Sequence, residues 1–149
     1  MTIRSTSTTA RSLYTHAAVF DDAARAVRDA VKVDPLPKYF LWGRTIELFL
    51  KSYLLAEGVS ATELKSGKFG HDLLKLYNEA CHRGIGSLIG TSGVDVAIVR
   101  VLNLDYLSKR FEYRISGHGY TLPDPALTQH LVKRLRRGVQ FHLQQKYGI

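Results

Sequence analysis

The sequence has little cysteine, a shortage of acids and no long apolar run. Its only cysteine, Cys81, excludes an intramolecular disulfide framework and any zinc module built on cysteine pairs, and it favours a cytoplasmic location. The most apolar stretch, residues 39–56, is interrupted by Arg44, Glu47 and Lys51, so we expect a buried helix and no membrane span. Thirteen Asp and Glu residues accompany 21 Lys and Arg residues. The resulting formal charge of +8 favours anionic partners such as nucleic acid or nucleotide.

Motifs of several enzyme classes are also missing. A phosphate-binding loop needs a glycine five residues before Gly67, and that position holds Thr62. The sequence contains no His-Glu-x-x-His, and its six histidines show no helical spacing suited to metal ligands. We therefore expect neither a metal nor a cofactor.

Hydrophobic spacing predicts five helices and no convincing strand. The first helix runs from Leu13 to Val31, with an apolar seam that leaves Asp21 and Arg25 outside, and residues 1–9 before it are expected to be a disordered tail. The second runs from Lys38 to a glycine end at Gly58, and its apolar residues surround nearly the whole circumference. This second helix is therefore the expected centre of the fold. The other three are expected at 71–83, 93–107 and from 125 through 143, the last with a leucine and valine stripe: Leu127, Leu131, Leu135, Val139 and Leu143.

Helix-capping residues support these boundaries. Ser60 with Glu63 predicts a short turn of helix, Ser92 with Asp95 starts the fourth helix, and Asp124 caps the last one. Short connections between long helices favour antiparallel neighbours. The prediction is a single all-α domain over residues 1–149, an up-and-down bundle of about five helices.

A polar cluster interrupts the apolar second helix. Arg44, Glu47 and Lys51 are three and four residues apart and share one face. A buried carboxylate between two cations is typical of a structural ion-paired cluster, with a ligand site as the alternative. His71 is expected to cap the third helix and to hydrogen-bond a neighbour such as Glu47, with a catalytic base as the alternative. Asp72, near the positive end of that helix, completes this predicted cluster.

The segment 106–120 interleaves cations with aromatic residues. Lys109, Arg110 and Arg114 are suited to bind phosphate while an aromatic ring such as Tyr113 stacks on a base. His118 lies between two glycines and is suited to move a proton in attack by a ribose hydroxyl. The alternative is a helix end whose rings close the core and whose arginines cap carbonyl groups.

The last helix carries charge of a single sign. No acid follows Thr128, and a solvated face is the ordinary explanation of such a run. Its single sign nevertheless favours nucleic-acid contact. The residues predicted to make that contact are Lys133, Arg134, Arg136 and Arg137.

Two segments carry a resemblance to a known family. They are Gly-Arg-Thr-Ile-Glu-Leu-Phe-Leu-Lys-Ser-Tyr-Leu-Leu at 43–55 and Gly-His-Asp-Leu-Leu-Lys-Leu at 70–76. Together they resemble the HEPN superfamily, the small helical domains of prokaryotic toxin and antitoxin pairs, phage-defence systems and nucleotidyltransferase partners. The resemblance implies a bundle of four or five helices that forms a homodimer and pairs with an antitoxin or a nucleotidyltransferase.

In catalytic members the resemblance implies a metal-independent ribonuclease with an arginine four to six residues before a histidine. Here seven residues separate Arg110 from His118 and three separate Arg114 from it, so neither spacing fits. We therefore expect an RNA- or nucleotide-binding protein in which cleavage is lost. The alternative is a non-catalytic protein that acts through a protein partner.

Overall fold

Seven helices form the part of the chain that the computed structural model describes, which is residues 8–27, 34–113, 117 and 119–148. The five long ones are α1 (Ala10–Ala26), α2 (Leu36–Ala56), α4 (Leu73–His82), α6 (Gly93–Leu107) and α7 (Pro125–Tyr147), and the two short ones are α3 (Ala61–Lys65) and α5 (Gly86–Ile89). Within these residues there is no strand, and no helix is long and apolar enough to cross a membrane. The all-α class is confirmed, with seven helices where about five were predicted. The addition is α5, a single turn in the connection between the helices predicted at 71–83 and 93–107.

Helix α1 begins three residues earlier than predicted. The backbone N–H of Ser12 donates to the Thr9 hydroxyl and the backbone N–H of Thr9 donates to the Ser12 hydroxyl, both at 3.0 Å. This reciprocal cap fixes Thr9, which was expected to belong to a disordered tail. The rest of that tail, residues 1–7, and the predicted last turn up to Val31 lie outside the described residues.

Two prolines define the start of α2. The helix begins at Leu36, two residues before the predicted Lys38, because Pro37 in the first turn needs no backbone donor. The side chain of Asp34 accepts a hydrogen bond from the N–H of Leu36 at 3.0 Å. The predicted glycine end is confirmed, since Gly58 follows the helix with φ +97°.

Helix α2 occupies the centre of the bundle, as predicted. It packs against α1, α4, α6 and α7, and these neighbours bury most of its apolar side chains. Gly43 sets the distance to α6, because a Cβ there would overlap the ring of Tyr106. The largest fully buried side chains of α2 are Trp42, Ile46, Phe49, Leu50, Tyr53 and Leu54.

Two predicted orientations are wrong. Asp21 was placed outside the apolar seam of α1, yet it is fully buried, because α7 packs on α1 and its Arg136 binds the carboxylate. Arg25 is a second partner of Asp21, at 3.1 Å. Leu127 was placed in the buried stripe of α7, but it is 46% exposed and lines an open surface cavity beside His130.

Candidate anion-binding site

Glu47 is the centre of a polar cluster inside the bundle. Its side chain is 1% exposed, and its Oε2 lies 3.0 Å from Nη1 of Arg44 and 2.9 Å from Nζ of Lys51. Its Oε1 accepts a hydrogen bond of 2.6 Å from the Tyr106 hydroxyl and lies 2.9 Å from Nδ1 of His71. These five residues are called the Glu47 cluster below.

Two helices and one loop bring the cluster together. Residues three before and four after Glu47 lie on its side of α2, so Arg44 and Lys51 reach the carboxylate from either side. His71 comes from the loop before α4, where Gly70 takes a φ of +51° that glycine adopts without strain. Tyr106 comes from α6 and reaches Glu47 across the gap that Gly43 leaves.

The ionisation of the cluster follows from its contacts. Burial alone would raise the pKa of Glu47, but the Lys51 ammonium and the hydrogen bonds donated to the carboxylate outweigh burial and lower that pKa. Burial and the neighbouring carboxylate both raise the pKa of Tyr106. Glu47 is therefore ionised at neutral pH, and Tyr106 stays protonated as its donor.

Only part of the cluster reaches the surface. The side chain of Lys51 is 10% exposed, whereas that of Arg44 is 29% exposed and that of His71 is 56% exposed. Glu47 engages Nδ1 of His71, which leaves Nε2 for a ligand. Arg44 uses Nη1 for Glu47 and retains further N–H donors. The exposed face of the cluster therefore offers the remaining N–H donors of the Arg44 cation and the Nε2 acceptor of His71.

A cavity of about 220 Å³ opens beside Arg44 and His71. Two aromatic rings on its wall, those of Phe40 and Tyr106, are stacked with centroids 6.4 Å apart. We call it the aromatic cavity, and its walls are Phe40, Arg44, His71, Tyr106, Leu107, Lys109 and Glu112. It combines stacking surfaces with donors that suit an anion.

Lys109 reaches the aromatic cavity from a strained backbone. Its φ of +61° is left-handed, which costs a residue with a side chain about 1–2 kcal/mol. Hydrogen bonds hold the turn, from the N–H of Arg110 to the carbonyl of Asp105 and from the N–H of Tyr113 to that of Lys109, both 2.9 Å. The bonds from the N–H groups of Arg110 and Lys109 to the carbonyls of Asp105 and Tyr106 are those of a Schellman helix end, so the left-handed residue terminates α6.

The structure separates the residues predicted in the segment 106–120. Lys109 lines the aromatic cavity, whereas the Arg110 guanidinium lies 3.3 Å from Asp105 and the Arg110 carbonyl accepts a hydrogen bond from Tyr120. Tyr113 is 70% exposed. The two other predicted catalytic residues, Arg114 and His118, lie outside the described residues.

Two of the four predicted nucleic-acid-binding residues of α7 are engaged inside the protein. Both terminal nitrogens of Arg134 bind the buried carboxylate of Asp95, and Nη1 also donates to the carbonyls of residues 89 and 90. Arg136 binds Asp21 at 2.8 Å and Asp22 at 2.9 Å. The other two predicted residues are exposed, and these are Lys133 and Arg137.

Two details of the predicted cluster change. The hydrogen bond from His71 to Glu47 is confirmed, but the cap of α4 is Asp72, which accepts from the N–H of Lys75 and from the Asn103 side chain. The predicted cap by His71 is therefore wrong. Asp72 contacts α4 and α6, and these hydrogen bonds do not involve Glu47.

Sequence reasoning missed the role of Tyr106. It lies 59 residues from Glu47, so no local spacing connects the two. The available signal was Gly43, because a glycine inside an apolar helix often marks the close approach of another group.

The described residues contain no group of three or more His, Cys, Asp or Glu side chains that could hold a metal ion. Compared with protein-family models, with curated proteins and with solved structures, the chain gives no match in any of the three. The site is accordingly interpreted from its own geometry and charge.

Proposed function

We propose that this chain is a HEPN-like, up-and-down helical bundle of the cytoplasm that binds RNA or a nucleotide in the aromatic cavity. The observation that carries the proposal is the convergence of Arg44 and Lys109 on one cavity whose wall also holds stacked aromatic rings. Cations bind phosphate and aromatic rings stack on bases, and this combination is typical of single-stranded nucleic-acid sites.

Four of the wall residues have a part in this binding. Arg44 and Lys109 contact the phosphate, and the base stacks against Phe40. The acid on the same wall, Glu112, accepts a hydrogen bond from an exocyclic amino group, which adenine, cytosine and guanine carry and uracil lacks. A base with an amino group is therefore preferred.

The Glu47 cluster prepares the site before the ligand arrives. Glu47 fixes the guanidinium of Arg44 and the ring of His71 in one geometry. Groups that are already ordered lose less entropy on binding. The ion-paired cluster that helical spacing predicts therefore also holds the binding groups in place.

Cleavage is not part of the proposal. The predicted catalytic pair needs a free arginine close to His118, and Arg110 is engaged by Asp105. A misplacement of even about 1 Å can reduce a rate by about a hundredfold. Binding in a toxin-antitoxin or defence system is therefore proposed without ribonuclease activity.

A second candidate function rests on a different surface. Three large apolar side chains of α6 are well exposed, with Val94 at 49%, Leu104 at 59% and Leu107 at 45%. Exposed apolar side chains grouped on one helix favour a protein partner. The chain would then act by pairing with an antitoxin or a nucleotidyltransferase, or with a second copy of itself.

The test of RNA binding is fluorescence anisotropy with a labelled single-stranded 12-mer. We expect binding at about 50 mM salt that weakens as salt rises, because phosphate contacts release counterions. Lys109→Gln should weaken binding about tenfold, as expected for one charge-assisted contact. The control is Lys75→Gln, an exposed lysine that is not a wall of this cavity, and it should bind as the wild type does.

The same RNA, recovered after incubation in EDTA, should be intact on a gel. Cleavage by the wild type that disappears in His118→Ala would establish a ribonuclease. Absence of any RNA binding at about 50 mM salt, where such contacts are strong, would contradict the proposal and favour the protein-partner candidate.

A further inference from the structure

A second cavity lies on the other side of Arg44 and His71. It has a volume of about 240 Å³ and also touches Glu47 and Lys51. We call it the leucine cavity, and its remaining walls are Thr8, Leu13, His16, Leu48, Ala61, Leu64 and Lys65. Because Arg44 and His71 line both cavities, the exposed face of the Glu47 cluster is a partition between them.

The two cavities offer the same kinds of groups. The aromatic cavity has the Phe40 ring, apolar Leu107 and exposed Lys109. The leucine cavity has the exposed His16 ring, an apolar wall of leucines and exposed Lys65. Histidine rings stack on bases as other aromatic side chains do. Both cavities therefore offer a ring, an apolar wall and a lysine to the same kind of ligand group.

Together the two cavities have room for one ligand that crosses the partition. Small-molecule sites usually enclose about 300–1,000 Å³. Each cavity alone is smaller than that range, and the two together fall within it. The partition between the cavities carries the Arg44 guanidinium. We therefore place the anionic part of the ligand at the partition, between the two parts that fill the cavities.

We propose that the site binds two nucleosides joined through phosphate, with one nucleoside in each cavity, the joining phosphate on Arg44, and a ribose hydroxyl donating to Nε2 of His71. The inference rests on the proposed function and adds the size and class of the ligand. Either a step of an RNA strand or a free dinucleotide supplies this chemistry.

The partition is built to hold a bridging phosphate. Arg44 is fixed by Glu47, and its guanidinium lies 5.9 Å from the centroid of the Phe20 ring. His71 is fixed through its Nδ1–H, which donates to Glu47, so its Nε2 on the same partition accepts a hydrogen bond from a ribose hydroxyl. Both groups keep a donor or acceptor that no contact within the cluster uses.

The test compares adenosine monophosphate with the dinucleoside monophosphate ApA by titration calorimetry. ApA should bind about tenfold more tightly, within the range that one added stacked base contributes. Charge alone predicts the opposite order, because the phosphate monoester carries about −1.5 to −2 charges at pH 7 and the diester carries one. The comparison therefore separates a second nucleoside site from electrostatic attraction.

Variants locate the second nucleoside. His16→Ala removes the ring of the leucine cavity, so it should reduce the affinity for ApA to that for adenosine monophosphate and leave the latter unchanged. Lys109→Gln should weaken both ligands. The control is His82→Ala, an exposed histidine of α4 that lines neither cavity and should change neither affinity.

The outcomes separate this inference from the proposed function. Equal affinity for the two ligands, or an ApA affinity that His16→Ala does not change, would overturn the inference while the aromatic cavity keeps its function. No binding of either ligand, together with no RNA binding, would overturn both. The 5′,5′-linked dinucleoside monophosphate of adenosine, which carries one charge as ApA does, distinguishes the sources: tighter binding than ApA indicates a free dinucleotide, and weaker binding indicates an RNA strand.

Discussion

Glu47 is a charged side chain almost without access to water. Removing an ion from water costs several kcal/mol, and the cost is recovered only by close charges and hydrogen bonds. Arg44, Lys51, His71 and Tyr106 supply them within 3.0 Å. The stability of the bundle and the geometry of the proposed site therefore depend on the same carboxylate.

The lowered pKa of Glu47 predicts a pH-dependent contribution to stability. A depressed folded-state pKa stabilises the protein above the unfolded-state value, about 4.3, and this contribution is lost as pH falls through the folded-state pKa. At pH 7, Glu47→Gln should destabilise the protein by about 3 kcal/mol, since it leaves buried cations without their carboxylate. Urea unfolding at several pH values should show this difference shrinking below about pH 4.

The matched control for that measurement is Glu63→Gln, which changes an exposed glutamate of α3. Surface substitutions of this kind usually stay within about 0.5 kcal/mol. A Glu47→Gln difference that is constant from pH 7 to pH 3 would show that the carboxylate is not the ionised centre of the cluster.

The candidate site was only partly predictable from sequence. Arg44, Glu47 and Lys51 are neighbours by helical spacing, so local periodicity was enough to group them. Tyr106 is distant in sequence and joins them only through the packing of α6 on α2, which spacing does not encode. The cavities were not predictable either, since their walls come from elements far apart in the chain.

At the scale of the element, α7 carries cations with two different roles. Arg134 and Arg136 attach α7 to buried carboxylates on α6 and α1. Lys133 and Arg137 are exposed on the same helix. In the sequence these residues form one run of like charges. The positions of Asp95 and Asp21 on other helices determine which of the cations are paired with these acids and which stay exposed.

This division predicts opposite effects of neighbouring substitutions. Lys133→Gln with Arg137→Gln should leave the free energy of unfolding unchanged and reduce the slope of log affinity against log salt for single-stranded RNA by about 1.4, or 0.7 per lost contact. Arg134→Gln should lower the free energy of unfolding by about 3 kcal/mol, because Asp95 stays buried without its partner. Urea unfolding and RNA titrations at several salt concentrations measure the two effects. An unchanged salt slope in the double variant would show that α7 does not contact RNA.

The helices themselves were largely predictable because their signals are local. Apolar periodicity and the caps at Ser60, Ser92 and Asp124 gave the order and the approximate ends of the long helices. The errors occur where tertiary contacts decide the outcome. Asp21 is the clearest case, because its burial depends on Arg136 more than a hundred residues away.

At the scale of the whole molecule, the exposed apolar residues of α6 that lie outside the aromatic cavity, Val94 and Leu104, predict a homodimer. Covering them against a second copy would remove apolar surface from water, and a two-fold interface needs only one such surface. Light scattering at micromolar concentration should report about twice 16.7 kDa. Leu104→Glu should produce a monomer, whereas Val19→Glu, at a position of α1 that is equally exposed at 59%, should not. A monomeric wild type would contradict the dimer.

The central position of α2 also affects how the chain is made. One side of α2 is covered by α7, and about 90 residues separate the ends of these helices. At a synthesis rate of about 5–20 residues per second, that side of α2 stays exposed for roughly 5–20 s before α7 has been synthesised. During this interval the nascent chain presents apolar surface that chaperones bind, so its yield in the cell depends on their supply.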